Sequence, residues 1–330
     1  MAEYQYPLSE QNTVINVYPV EMVKVNNLNG IEEQVEHFSE ESLSHSVNNW
    51  SKAISRGMER ELSFALKMAG SEKYSHQIIF NNDGLINEFS FLKTLEDIKK
   101  FSQKYGLLGV KAPDTEQVNS KIPLVLATLQ PHFIYNSYGY SVFEPVDLWF
   151  WHINEVRQIL KLYDVVRKDS SDDRVNQLIE IKEHSGRFGS LAEDRTTMDR
   201  YFVYWTKGEL ILMLPEGMEE KSMLEIGQYT LSKVLAFHLS GGIHLGVGDI
   251  IRNPSTKGFK VLEQRYSPYL LAAIYYDLWQ KINDDKNIFI CGNKSCGLPF
   301  IKSRRKKYCS DACKQEAYRE RLNSKRSDRL

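Results

Sequence analysis

Residues 291–296 read Cys291-Gly292-Asn293-Lys294-Ser295-Cys296, and residues 308–313 read Tyr308-Cys309-Ser310-Asp311-Ala312-Cys313. These hold all four cysteines of the 330-residue chain, in the order Cys-x4-Cys-x12-Cys-x3-Cys. Two close pairs flanking a short loop point to a tetrahedral zinc site, with four thiolates about 2.3 Å from the metal. Each pair must fold its backbone back so that both sulfurs reach one point. Gly292 and Asn293 suit such a knuckle, because both residue types tolerate left-handed backbone angles. Ser310 is a good helix N-cap and Asp311 suits a first turn. The spacing therefore predicts Cys313 in the first turn of a terminal helix, with Cys309 just before it. The loop 297–308 leaves room for a short hairpin through Leu298, Pro299, Phe300 and Ile301, then a basic turn. Four protein ligands leave no open position for water, so the expected zinc is structural.

Paired disulfides, free buried thiols or an iron–sulfur cluster could draw on the same four residues. Clustering at metal spacing, with no cysteine elsewhere, argues against free thiols. The start, Met1-Ala2-Glu3-Tyr4, lacks a positive n-region and an apolar h-region, which predicts a cytoplasmic chain with reduced thiols. A segment this polar would shield an iron–sulfur cluster poorly, which leaves zinc preferred.

Charge sharpens the picture. The whole chain carries a formal −1, yet residues 287–330 hold twelve basic and four acidic side chains. That segment is +8, so residues 1–286 balance at −9. A local basic patch is the electrostatic footprint of a polyanion. Arg304, Arg305, Lys306 and Lys307 form the predicted basic turn. Lys314, Tyr318, Arg321 and Lys325 recur at helical spacing and share one face. These seven cations are the candidate nucleic-acid contacts. Tyr318 would stack on a base or pack under the metal. The competing reading is a solvated tail, or one docked on the acidic body.

Residues 289–322 resemble the bacterial CGNR-type zinc finger. The resemblance rests on Cys291 to Phe300, on Ser303-Arg304-Arg305-Lys306-Lys307-Tyr308-Cys309-Ser310, on Cys313, and on Tyr318-Arg319-Glu320-Arg321. The family's naming tetrad begins at its last ligand cysteine, where this chain reads Cys313-Lys314-Gln315-Glu316. The resemblance implies an upstream helical domain and a role as a DNA-binding transcription regulator. The Tyr-Cys-Ser-x-x-Cys step also resembles treble-clef and MYND-type fingers, which more often bind peptides.

The expected fold is mainly α with small β-hairpins, an α+β body followed by a small treble-clef-like finger. An acidic helical body over 1–286, with a subdivision near the Pro-rich loop 111–121, would precede the finger at 287–330. Apolar spacing predicts helices over 42–67, 94–106, 145–166, 172–182, 218–239 and from 267 onward. Thr94-Leu95-Glu96-Asp97 reads as a capping box. Hairpins are expected for 77–80 with 85–91, around Asn-Asn-Asp-Gly, and for 201–205 with 209–214; residues 13–25 should be extended. No apolar run approaches the ~20 residues of a membrane span.

Catalytic patterns are absent from the sequence. No two of the eight histidines share the +4 spacing of a helical metal motif, and neither G-x-S-x-G nor H-E-x-x-H occurs. His152 reads as core. The glycines of 238–249 match no phosphate-loop pattern and read as a helix cap and a turn. The leading expectation is a zinc-dependent nucleic-acid binder, DNA favoured, whose body senses a ligand or self-associates as a homo-oligomer. A protein-docking finger, or an enzyme carrying the finger as an accessory, are the alternatives.

Overall fold

The computed structural model describes residues 13–17, 19–24, 64–68, 76–80, 84–110, 138, 143–168, 172–187, 197–206, 208, 210–252, 259–284, 288–293, 296–301 and 306–327. They form a mixed helix and strand chain with small antiparallel sheets. Its contacts group into two compact units. One comprises residues 1–85, 93–149 and 235–280; the other comprises 86–92, 150–234 and 281–330. No helix among the described residues is long and apolar enough to cross a membrane.

In the first unit, β1 (Thr13–Val17) pairs with β4 (His76–Phe80), and β2 (Val20–Lys24) pairs with β3 (Phe64–Met68). Strand β5 (Phe143–Pro145) adds to the other edge of β3. The helix Leu95–Tyr105 packs on β1 and β2 and buries Ile98, Phe101 and Tyr105 at i, i+3 and i+7. Its capping box forms as expected: Thr94 Oγ1 accepts from Asp97 N at 3.1 Å, and Asp97 Oδ2 accepts from Thr94 N at 2.9 Å. A second pair, β9 (His244–Arg252) with β10 (Phe259–Tyr266), precedes the helix Leu270–Asn283, whose apolar face is fully buried.

Glu144 of β5 lies wholly inside this unit. Its Oε2 accepts from Leu108 N and Trp149 Nε1, both at 2.9 Å, and its Oε1 from Gly109 N at 2.8 Å and Val110 N at 3.2 Å. Gly109 makes this cradle feasible. Its φ is +79°, and a Cβ there would meet Tyr269 Cδ1 at 2.7 Å, so only glycine fits. Burial pushes the Glu144 carboxyl up to about 7, against the opposing pull of the four N–H donors.

The second unit holds most of the long helix Val146–Arg167, the short helix Asp172–Asn176, and a three-stranded meander. The meander runs β6 (Ile179–Arg187), β7 (Thr197–Trp205), β8 (Leu210–Met213). The helix Met223–Leu239 starts from a second capping box, in which Ser222 Oγ accepts from Glu225 N at 3.2 Å and Glu225 Oε2 accepts from Ser222 N at 3.1 Å. Gly227 of this helix lets it approach Val166, Val175 and Leu162 closely. His152 is fully buried, its Nδ1 3.5 Å from Glu155 Oε2.

In order along the chain the helices are α1 (Leu85–Ser90), α2 (Leu95–Tyr105), α3 (Val146–Arg167), α4 (Asp172–Asn176), α5 (Met223–Leu239), α6 (Leu270–Asn283) and α7 (Asp311–Ser327). Four sequence expectations need correction. Leu85–Ser90 form a helix where 85–91 is expected as the second strand of a hairpin, because Leu85, Ile86 and Phe89 are buried at helical spacing. The partner of β4 is instead β1. Residues 64–68, expected at the end of a helix, are a strand paired on both edges; residues 42–63 lie outside the described set. The helix expected over 172–182 stops at Asn176, and Ile179, with β-branched Ile181 two residues on, begins β6. Finally, Gly246 and Gly248 lie within β9 rather than in a turn, whereas Gly241 and Gly242 do follow the end of α5. The expected loop at 111–121 is outside the described residues.

Candidate metal centre

A short hairpin builds the first knuckle. β11 (Ile288–Ile290) pairs with β12 (Pro299–Ile301) in the register Phe289 to Phe300, burying Ile288 and Phe300. The segment 291–298 is therefore the hairpin's own loop. The hairpin expected after Cys296 forms across the first cysteine pair instead. Cys291 N donates to Leu298 O at 2.8 Å, closing the loop at its base. Asn293 O then accepts from both Cys296 N at 3.2 Å and Gly297 N at 3.1 Å. The glycine with a left-handed backbone in this turn is Gly297, with φ +54°, rather than Gly292.

The second pair enters on α7. Ser310 caps that helix as expected: its Oγ accepts from Cys313 N at 3.2 Å and its carbonyl from Lys314 N at 3.2 Å. Cys313 thus sits in the first turn and Cys309 just outside it. Gly292 N donates to Lys307 O at 3.0 Å, and Cys309 N donates to Cys291 Sγ at 3.4 Å, which docks the two knuckles. All four sulfurs lie within 4.8 Å of one another, with Cys296 to Cys309 at 3.6 Å and Cys309 to Cys313 at 3.5 Å. A disulfide needs about 2.05 Å, so none is formed. Thiolates around one zinc would stand on the order of 3.8 Å apart, twice the bond length times the sine of half the tetrahedral angle.

Electrostatics says what this cluster lacks. Burial pushes the Cys296 and Cys309 thiols up, and for Cys309 the neighbouring sulfurs add to that. The Ser310 hydroxyl brings Cys313 down to about 7. Four sulfurs this close cannot all ionise without a cation among them. The group is positioned to hold a metal ion.

Two supports escaped the sequence reading. Asn293 is completely buried, and its Nδ2 donates to Glu316 Oε2 at 2.7 Å, tying the first knuckle to α7. Sequence alone placed Glu316 only in the charge count and in the tetrad that begins at Cys313. The other support is Arg157 on α3. It donates from Nε to Ser90 O at 2.8 Å and from Nη2 to Leu92 O at 2.7 Å, satisfying carbonyls at the end of α1. Burial lowers the pKa of this guanidinium, and the Cys296 sulfur offsets part of that. Phe289 of β11 lies under Lys168 Nζ at 5.2 Å and Arg167 Cζ at 6.0 Å, at the C-terminal end of α3. The cysteine module is therefore packed on the second unit's helices. No signal of fixed spacing links Arg157 to residue 296, so this electrostatic influence is a product of tertiary structure alone.

The candidate nucleic-acid contacts divide as follows. Lys306, Lys307, Lys314 and Arg321 are exposed beside the cluster. Arg304 and Arg305 lie outside the described residues, as does the side chain of Lys325, whose backbone continues α7. Arg319, which the sequence reading passed over, stands on the same surface as Lys314 and Arg321. Tyr318 is 58% exposed and does not pack under the cluster.

No family model matches the chain, and neither a curated protein nor a solved structure matches it.

Proposed function

We propose that the chain is a zinc-finger protein whose C-terminal module binds nucleic acid, DNA favoured, in a transcription-regulatory role. Cys291, Cys296, Cys309 and Cys313 would hold the metal. Zinc suits four sulfurs gathered around one point, with no position left for water. An iron–sulfur cluster would spread its thiolates over several irons. Zinc here would supply folding energy and a fixed shape.

The observation that carries the nucleic-acid reading is the set of exposed cations Lys306, Lys307, Lys314, Arg319 and Arg321, displayed on and just before α7. Clustered cations on a rigid element suit a phosphate backbone, and the counterions released would make binding steeply salt-dependent. The CGNR-like residues point the same way. The remainder of the chain would sense a ligand or mediate self-association.

Metal analysis of the purified chain should return about one zinc per chain. A mobility-shift assay with duplex and single-stranded DNA at two salt concentrations tests the rest. Binding should weaken with salt, and Lys306→Glu with Lys314→Glu should weaken it for every sequence alike. Affinity untouched by both salt and charge reversal would overturn the reading, as would a co-purifying polypeptide that binds with no salt dependence.

A further inference from the structure

On the outer side of α7 a surface groove of about 610 Å³ is lined by Tyr308, Asp311, Lys314, Gln315, Tyr318, Arg319 and Arg321. Its composition is unusual for a solvated helix face. Two phenol rings stand among three cations and one carboxylate. Tyr318 holds no structural place there: it is 58% exposed, while its helix neighbour Ala317 is the buried residue of that turn. Arg321, by contrast, is fixed in position. Its Nε donates to Ala317 O at 3.0 Å and its Nη2 to Tyr308 Oη at 3.3 Å, so guanidinium and phenol form one platform.

Phosphates alone would ask only for the cations. The exposed Tyr318 ring asks for something flat and apolar to cover it. In a duplex the faces of the bases are stacked on each other, and only their edges reach a groove. In a single strand the faces are free, and a ring that covers one gains about 1–3 kcal/mol. An acidic peptide would satisfy the cations but leave the Tyr318 ring without a partner of matching shape. We infer that this groove takes a single nucleic-acid strand, its phosphates on Lys314 and Arg319 and an unpaired base on Tyr318 beside the Arg321–Tyr308 platform. The inference rests on the nucleic-acid reading above and narrows it.

The test uses the full chain loaded with zinc, and fluorescence anisotropy with labelled ~12-nucleotide strands of DNA and of RNA, and the DNA duplex of the same sequence. At least one single strand should bind about tenfold more tightly than the duplex. Tyr318→Ala should weaken single-strand binding at least fivefold, the low end of a stacked base, whereas Tyr318→Phe should retain it. Lys314→Ala and Arg319→Ala should each reduce the salt slope by about 0.7. Retained zinc content certifies that each variant is folded. Duplex binding as tight as single-strand binding, with Tyr318→Ala indifferent, overturns the inference and leaves the broader reading standing. No binding to either form overturns both.

Discussion

Glu144 and the cysteine cluster both gather acidic groups away from bulk water, the first wholly and the second in part, in different units and by different means. Around Glu144 the chain supplies four N–H donors, three of them from consecutive backbone positions, and both carboxylate oxygens are saturated. Around the sulfurs it supplies the backbone N–H of Cys309 to Cys291 and that of Leu298 to Cys296, the Ser310 hydroxyl near Cys313 and a guanidinium near Cys296. The dipoles around Glu144 offset part of the cost of one buried charge, although burial still raises the carboxyl to about 7. Dipoles do not suffice for four thiolates, where repulsion outgrows what the local groups give back. One region should therefore be complete without a metal and the other should depend on it.

Removing the metal is the strongest way to break that contrast. Chelation at neutral pH, or Cys309→Ser, should abolish ordered structure over 288–327, since such a site contributes on the order of 10 kcal/mol to its module. Amide hydrogen exchange would show protection lost there and retained at Leu108, Gly109 and Val110. Equal loss at both places, or at neither, would end the distinction. Because β11 packs against Lys168 and Arg167, partial loss around the end of α3 is expected as well.

Glu144→Gln probes the other side. The amide nitrogen cannot accept, so two of the four buried donors lose their acceptor, at a cost of about 2–3 kcal/mol. The pH dependence has a definite sign. Burial raises this carboxyl from 4.5 to about 7, so the folded protein holds a proton that the unfolded chain releases. Its contribution is full below about 4.5 and is lost as pH rises through about 7. Denaturant midpoints measured across that window should fall for the parent and stay flatter for the variant. A variant with the parent's slope would show that another group titrates.

Arg157→Gln has a smaller expected effect and links the two solutions. The variant keeps at most one of the paired carbonyl contacts and removes the cation near Cys296. Groups behind a metal ligand typically change affinity by about 10–100-fold, so a tenfold loss in chelator competition is expected. Unchanged metal affinity with lowered stability would confine Arg157 to its structural role on α1.

How much of this the sequence disclosed depends on how local the physics is. Cysteine spacing and the Ser310 cap are encoded within a few residues, and both were legible. So was the capping box at Thr94. Strand and helix were confused where the deciding partner is distant: 64–68 is extended because β2 and β5 flank it, and no local pattern says so. Residues 85–91 follow an apparent hairpin turn and also carry helical apolar spacing, and the spacing decides because it buries Leu85, Ile86 and Phe89. Glu144 and Arg157 were invisible for the same reason, since their partners lie 34–36 and 65–67 residues away in the chain.

A second carboxylate supplies the finest test. Asp97, like Glu144, accepts backbone N–H groups, from Lys93 at 3.0 Å and Thr94 at 2.9 Å. Its pKa moves the other way, lowered chiefly by the Lys93 N–H and then by Thr94, because almost none of it is buried. The same donors that merely moderate a buried charge thus dominate for an exposed one. Its stabilising share is present above the ordinary Asp value of 3.8 and fades as pH falls through the depressed value. Thr94→Ala should cost about 1 kcal/mol near neutral pH. The cost should shrink in acid, below the window in which Glu144 titrates, as Asp97 takes up its proton and the box loosens in the parent too. Thermal unfolding of parent and variant at neutral and acid pH would measure it. A penalty that grew in acid would mean that burial, rather than the N–H donors, governs Asp97, and the contrast with Glu144 would fail.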